Sequence, residues 1–303
     1  MAYNCVVLIK QVPDTKRITG EAMNDDGTVN RGALPAIFNP EDLNALELAL
    51  EIKDKFGGKV TTIAMGLPAA SAILRESLYR GADDAILVTD RRCAASDTLA
   101  TSYILSCAVK KLDYDIVLCG RQAIDGDTAQ VGPQLAEKLG IPQITYVEEL
   151  VSLEKRTITA KRNIGSGWQE VKTKLPVLLT VVGEANEPRI PVAKKLMKFK
   201  KARTAVEVEM QVKQENPAAD EKTTKQLSQR KIDQLQEKGL LIKQWDLDFL
   251  EADLQWCGRD GSPTKVHRIQ SVVLTVRESK SVEPTDRGVA DMIHELIKEK
   301  TIS

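Results

Sequence analysis

The stretch Gly120-Arg-Gln-Ala-Ile-Asp-Gly-Asp-Thr-Ala-Gln-Val-Gly-Pro133 decides how this chain is read. It follows the apolar run Asp115-Ile-Val-Leu-Cys119 and leads into Gln134-Leu-Ala-Glu-Lys-Leu-Gly140, a pattern of buried strand and then helix. Small and polar residues fill the junction. The first backbone N–H groups of such a helix lack partners, and the positive end of its dipole points out of the fold, which suits a phosphate. Asp127 or Thr128 is expected to cap the helix, and Gly126 to let a ligand approach the backbone closely. Taken alone, these residues also fit an ordinary strand–helix turn, so the flanking sequence has to decide.

Outward from this junction, apolar runs alternate with helical patterns. Cys5-Val-Val-Leu-Ile-Lys10 reads as a buried strand, and residues 40–53 carry leucines at helical spacing with Asn39 as a candidate cap. A strand at 59–65, a helix at 69–79, a strand at 84–88 and a helix at 98–112 follow. The alternation predicts an α/β fold, a Rossmann-like, doubly wound parallel sheet with helices on both faces. Ligands of such sheets sit beyond the carboxyl ends of the strands, at a topological switch point. Those ends carry Ile9-Lys10, Met65-Gly66 and the stretch 120–131. No GxGxxG follows the first strand, which disfavours a dinucleotide site of the common dehydrogenase type.

Beyond Gly140 the pattern changes. Residues 143–153, 157–162 and 171–182 read as extended segments, with a turn at Gly165-Ser-Gly167. Residues 186–203 hold seven Lys or Arg against the single Glu187, which fits either a solvated basic linker or a docking segment. A helix is expected at 222–237, a turn-rich loop at 258–266, a strand-like run at 271–276 and an amphipathic helix at about 285–300. With no compact second core visible, the chain beyond residue 186 is expected to be an arm that packs on another subunit.

Composition narrows the function. The 43 basic and 43 acidic residues balance, so no global field favours nucleic acid or anionic lipid, and 4% aromatic content leaves little for base stacking. No apolar run reaches the length of a membrane span, and the amino terminus enters a strand without a cleavable signal pattern, so a cytoplasmic location without membrane insertion is expected. Cys5, Cys93, Cys107, Cys119 and Cys257 show no CxxC spacing; the first four read as structural, and Cys257 is left open. His267 and His294 have no plausible metal partners, so neither a metal site nor a His-based catalytic triad is expected, and no side chain is assigned a catalytic role. Any redox chemistry must come from a cofactor.

Several motifs recur in one order: Val7-Leu-Ile-Lys-Gln-Val-Pro-Asp14, Phe38-Asn-Pro-Glu-Asp-Leu-Asn-Ala-Leu46, Arg80-Gly-Ala-Asp-Asp-Ala-Ile86, the loop 120–133, Asn186-Glu-Pro-Arg189 and Gly261-Ser-Pro-Thr264. In this order and spacing the chain resembles the beta subunit of electron-transfer flavoproteins. The resemblance implies a heterodimer with a larger alpha subunit that carries an FAD, and a Rossmann-like domain, related to the adenine nucleotide alpha-hydrolases, that holds a second nucleotide. In housekeeping members this is AMP, and the loop usually reads Asp-Asp-Asp-Cys-Asn-Gln-Thr-Gly. Here Asp125-Gly-Asp-Thr-Ala-Gln-Val-Gly-Pro133 resembles the electron-bifurcating members, in which FAD occupies the site.

Carried over by position, the resemblance implies contacts from the Ile9 backbone, a wall of Asn39, Pro40, Glu41 and Asp42, and Met65 beside the adenosine half. Gly120, Arg121, Gln122, Ala123, Asp125, Gly126, Asp127, Thr128, Ala129, Gln130 and Val131 would hold the phosphates and reach towards the isoalloxazine, with Arg121 tuning it. In bifurcating members NADH gives a hydride to this FAD; one electron goes to ferredoxin or flavodoxin, the other through the alpha-bound FAD to a flavin dehydrogenase of the acyl-CoA or lactate type. The implied division is a nucleotide-binding domain at 1–185, a partner recognition loop at 186–203 and a C-terminal arm at 204–303. The family's anchoring leucine aligns with Ala193, with Leu196 close by, and Asn163 stands where many members have a glutamate that supports the domain interface.

Overall fold

β1 (Cys5–Leu8) runs through the middle of a nine-stranded sheet with all four residues buried, as a strand covered on both faces requires. The computed structural model describes residues 1–14, 35–265 and 281–298; His267 and the expected strand at 271–276 lie outside the described residues. β2 (Gln11–Pro13) and β3 (Ala36–Phe38) form a small antiparallel pair that the sequence reading did not anticipate. Then come α1 (Pro40–Phe56), β4 (Val60–Met65), α2 (Ser71–Arg80), β5 (Asp84–Val88), α3 (Thr98–Lys110), β6 (Ile116–Gly120) and α4 (Val131–Leu139). The chain steps outward from β1 to β4 and β5, then returns to lay β6 on the other side of β1. That reversal sets the switch point between β1 and β6. Side chains alternate accordingly: Cys5 and Val7 pack in one layer with Leu46 and Leu74 of α1 and α2, while Val6 and Leu8 pack in the other with Ile104 and Leu135 of α3 and α4.

β10 (Val177–Val181) slots between β6 and β7 (Gln143–Glu154), parallel to both, and β8 (Thr157–Asn163) and β9 (Trp168–Lys174) extend the sheet antiparallel from β7. Residues 171–182, read as one extended segment, are therefore two strands, divided at the cis Leu175–Pro176 bond. Proline has no N–H to continue a ladder, so the break falls there. Asn163 donates to Glu148 Oε1 (2.7 Å) and closes the turn onto Gly165 N (2.7 Å).

The basic segment contains a helix, α5 (Ala193–Phe199), and its root is held on α1, where Arg189 pairs with the buried Glu47 (2.9 Å) and Asn44 Nδ2 donates to the Asn186 carbonyl (2.8 Å). α6 (Ala205–Glu215) opens with a capping box of Thr204 and Glu207, and Glu207 also pairs with Arg75 of α2 (2.8 Å). After α7 (Glu221–Glu237), β11 (Lys243–Trp245) joins the sheet edge parallel to β5, and Trp245, Leu247, Leu250 and Cys257 enter the core layer that holds Ile86 and Val88. The stretch expected as a subunit-packing arm is thus largely part of this chain's own fold as far as Ser262. A three-residue edge strand carries too short an apolar pattern to be seen in sequence. α8 (Asp286–Lys298) differs: Val289, Met292, Ile293 and Ile297 lie exposed along it.

Among the described residues no helix is long and apolar enough to cross a membrane, and no group of His, Cys, Asp and Glu could hold a metal. Burial pushes the Cys5 and Cys93 thiols up to about 12 and that of Cys257 to about 11, so these sulfurs stay protonated and unreactive.

Candidate functional site

The start of α1 grips the switch point from behind. Asp42 accepts the Lys10 N–H with one oxygen (2.8 Å) and the Gly120 N–H with the other (2.9 Å), so a single carboxyl group staples the ends of β1 and β6 together. Asn39 is fully buried and stands at the N-cap position of α1, as expected, but its side chain makes no cap bond: its amide donates to the Gln122 carbonyl (2.9 Å) and accepts the Ile124 N–H (3.1 Å). Glu41 accepts the Gln122 N–H (2.9 Å) and pairs with Arg121 (2.8 Å). Three polar side chains of one helix end thus fix residues 120–124, with the buried Arg121 Nε left without a partner among the described residues.

Burial pushes the Asp42 carboxyl up to about 7, against the opposing pull of the Gly120 and Lys10 N–H groups, Asn39 and the Lys10 charge. The sign of the pH dependence follows. The unfolded chain releases this proton near pH 4, so from about pH 4 to about pH 7 the folded state holds the extra proton and stability falls as pH rises. Asp42→Asn cannot ionise and lacks this contribution. Thermal unfolding across pH should show the parent's stability relative to the variant shrinking over that interval and levelling off above about pH 8.

Past residue 124 the loop faces a cleft of about 620 Å³. Gly126 leaves open space beside the loop, as expected, and the left-handed backbone of the loop falls at Asp127 (φ 48°) and Ala129 (φ 53°). Neither Asp127 nor Thr128 caps α4: the helix starts beyond both, at Val131, behind Gln130, with no side-chain cap. Asp127 instead accepts from Gln122 Nε2 (3.0 Å). Among the described residues, the backbone N–H groups of Thr128, Ala129, Gln130, Val131 and Gly132 find no acceptor in the chain. Successive free N–H groups around left-handed residues, at a helix N-terminus, form an anion cradle. Gly132 lets α4 sit close on the sheet, since a Cβ there would lie 2.8 Å from Thr180 Cγ2 and 2.9 Å from Cys119 Sγ.

Of the residues expected at the site, Ile9, Asp42, Met65, Gly120, Arg121, Gln122, Ala123, Asp125, Gly126, Asp127, Thr128, Ala129, Gln130 and Val131 line the cleft, whereas Asn39, Pro40 and Glu41 stand behind its loop. The Ile9 N–H is used in the sheet, bonded to Ile63 (2.9 Å), which leaves its carbonyl. Arg121 is not a free cation: besides its pair with Glu41, its guanidinium lies 5.6 Å from the Tyr146 ring centre. Sequence reasoning missed two parts. Lys10 binds both carboxylate oxygens of Asp125 (2.7 and 2.8 Å) across the mouth, and Cys93, Ala95, Ser96, Asp97, Thr98 and Thr101 form the opposite wall. The sequence reading named the carboxyl ends of β1, β4 and β6 but not that of β5, whose residues have no motif of their own.

Comparison with known proteins agrees with this geometry. Residues 26–215 match the electron transfer flavoprotein domain family. An electron transfer flavoprotein subunit beta from Clostridium acetobutylicum is 39% identical over 299 residues, 99% of this chain and 100% of its own length. An acryloyl-CoA reductase electron transfer subunit gamma from Anaerotignum propionicum is 46% identical over 187 residues (60% of this chain, 69% of its own). The FixA protein of Azotobacter vinelandii is 48% identical over 190 residues (61% and 67%). With a full-length relative and a family match over most of the α/β sheet, the chain belongs to the electron transfer flavoprotein family, as a homologue of its beta subunits.

Proposed function

We propose that this chain is the FAD-binding beta subunit of an electron-bifurcating electron-transfer flavoprotein, paired with an alpha subunit that holds a second FAD. The observation that carries the reading is the cradle of free N–H groups at residues 128–132 facing a cleft of about 620 Å³, where Gly126 leaves open space. That volume is typical of cofactor sites. FAD has more than twice the atoms of AMP, and the open space at Gly126 supports the larger ligand. The cradle would take the phosphates, with Thr128 offering a hydroxyl, while Met65 and Ile9 flank the base. The chemistry FAD supplies when bound is acceptance of a hydride from NADH and division of the electron pair between ferredoxin or flavodoxin and, through the alpha subunit's FAD, a partner dehydrogenase. Lys10 and Asp125 hold the mouth of the cleft, while Arg121 is held by the Glu41 carboxylate behind the loop.

The segment 186–203 has the features of a docking site for that dehydrogenase. Ile190, Val192 and Met197 are exposed among lysines, while Arg189 holds the segment's root on α1. Ile190, 82% exposed, is a better candidate anchor than Ala193. The Anaerotignum relative's name favours an acyl-CoA type of partner, and the apolar side of α8 suits the alpha subunit. Flavin content tests the reading. The purified alpha–beta pair is expected to hold two FAD, one bleached by NADH. One FAD plus AMP would make this a housekeeping carrier and overturn the proposal.

A further inference from the structure

The cleft wall opposite the phosphate loop is made by the segment between β5 and α3, and little secondary structure holds it. Its Ala95 is left-handed (φ 58°), a conformation that residues with a Cβ adopt only when their surroundings impose it. A distant turn reaches it here, with the Ser262 hydroxyl 3.5 Å from the Ala95 carbonyl oxygen. The Asp97 N–H donates to Ser262 Oγ (2.8 Å), and the Ser262 hydroxyl donates to the Gly258 carbonyl (2.7 Å). The Asp97 carboxylate accepts the Thr264 N–H (2.9 Å) with one oxygen and the Ala100 N–H (2.9 Å), at the start of α3, with the other. The turn lies flush on this wall: a Cβ on Gly258 would collide with the Arg92 carbonyl oxygen.

The tie continues into the cleft. Thr98, next to Asp97, lines it and donates its hydroxyl to the side chain of Gln130 (2.9 Å), in the phosphate cradle. Ser262 is 3% exposed and does not reach the cleft itself. We propose that the turn 258–264 is a clasp that sets the spacing between the two walls, and that Ser262 is a positioning residue for the nucleotide, acting through Asp97 and Thr98 on Gln130. The proposal rests on reading the cleft as a nucleotide site. A tie that served stability alone would hold the wall anywhere along its length; this one is made at Asp97, adjacent to Thr98, the residue joined to the opposite wall.

The test uses the complete alpha–beta complex with the nucleotide of this chain's cleft dialysed away, titrated by calorimetry with FAD and separately with AMP. Ser262→Ala is expected to weaken whichever nucleotide the parent binds by about tenfold, with the thermal midpoint of the empty complex within about 2 °C of the parent. Ser262→Thr, which keeps the hydroxyl, is expected to restore parental affinity. Asp97→Asn is a second probe: asparagine caps α3 equally well, but its amide nitrogen cannot accept the Thr264 N–H, so the same weakening is expected. Unchanged affinity in both variants would overturn the clasp and leave the nucleotide reading standing. Weaker binding that Ser262→Thr does not restore marks general loosening and also overturns it. A parent complex that takes up neither nucleotide in this chain overturns the nucleotide reading, and the clasp's role with it.

Discussion

Replacing Gly126 with aspartate is expected to lower the affinity of the cleft for FAD about 100-fold while moving the melting temperature by no more than about 2 °C. The two halves have separate causes. A Cβ at 126 meets nothing within 4 Å, and the backbone there is not left-handed, so the fold tolerates a side chain. Exposed substitutions of this kind cost within about 0.5 kcal/mol. The ligand does not tolerate it, because the new carboxylate would stand between Asp125 and Asp127 beside the N–H cradle. A charge about 5 Å from a phosphate at an effective dielectric of about 20 costs on the order of 3 kcal/mol, which screening trims to roughly the stated factor. Titration of the emptied alpha–beta complex with FAD measures it. Gly126→Asn is the control, with similar volume and no charge, and should stay within about threefold of the parent. Equal losses in both variants would show that bulk rather than charge decides.

Gly120→Ala is expected to do the opposite and damage the fold first. Its Cβ would lie 2.6 Å from Asp42 Oδ1 and 2.8 Å from the Glu41 carbonyl carbon. Neither neighbour is a free side-chain end that could swing away: one is backbone, and the other is held by two N–H groups. The start of α1 would have to retreat from β6, weakening the Gly120–Asp42 and Gln122–Glu41 bonds together. Overpacking and the strained buried bonds sum to about 3 kcal/mol, or roughly 6 °C of melting temperature for a domain of this size. Nucleotide should be lost as well, because the loop is positioned from that helix end. Thermal unfolding beside Gly126→Ala, expected to melt like the parent, separates the two glycines. An unshifted Gly120→Ala would mean that α1 does not hold the loop rigidly.

Much of the cleft was legible because the chemistry lies at strand ends, and strand ends are visible in a sequence. Ile9, Met65 and the run from Gly120 to Val131 fall where apolar runs stop, and they line one cleft. What failed was finer. Asn39 and Asp127 each stand where an asparagine or aspartate usually caps a helix, but each spends its side chain on another partner. The left-handed residues of the cradle, Asp127 and Ala129, went unforeseen, because nothing in either residue type requires that backbone. The wall at 93–98 was overlooked because it has no motif and depends on a turn far along the chain.

By itself the sequence determined the α/β alternation, the loop that ends β6 and, through motifs in fixed order, the family, since each depends on neighbours within one or two elements. Only the tertiary structure decided which groups meet: that Asp42 joins β1 to β6, that Lys10 reaches Asp125, that β11 completes the sheet and that Ser262 braces Asp97. Those partners lie between 32 and 165 residues apart. Periodicity and propensity report on local conformation and burial, whereas a hydrogen bond across such a separation exists only once the sheet has brought both ends to the same place.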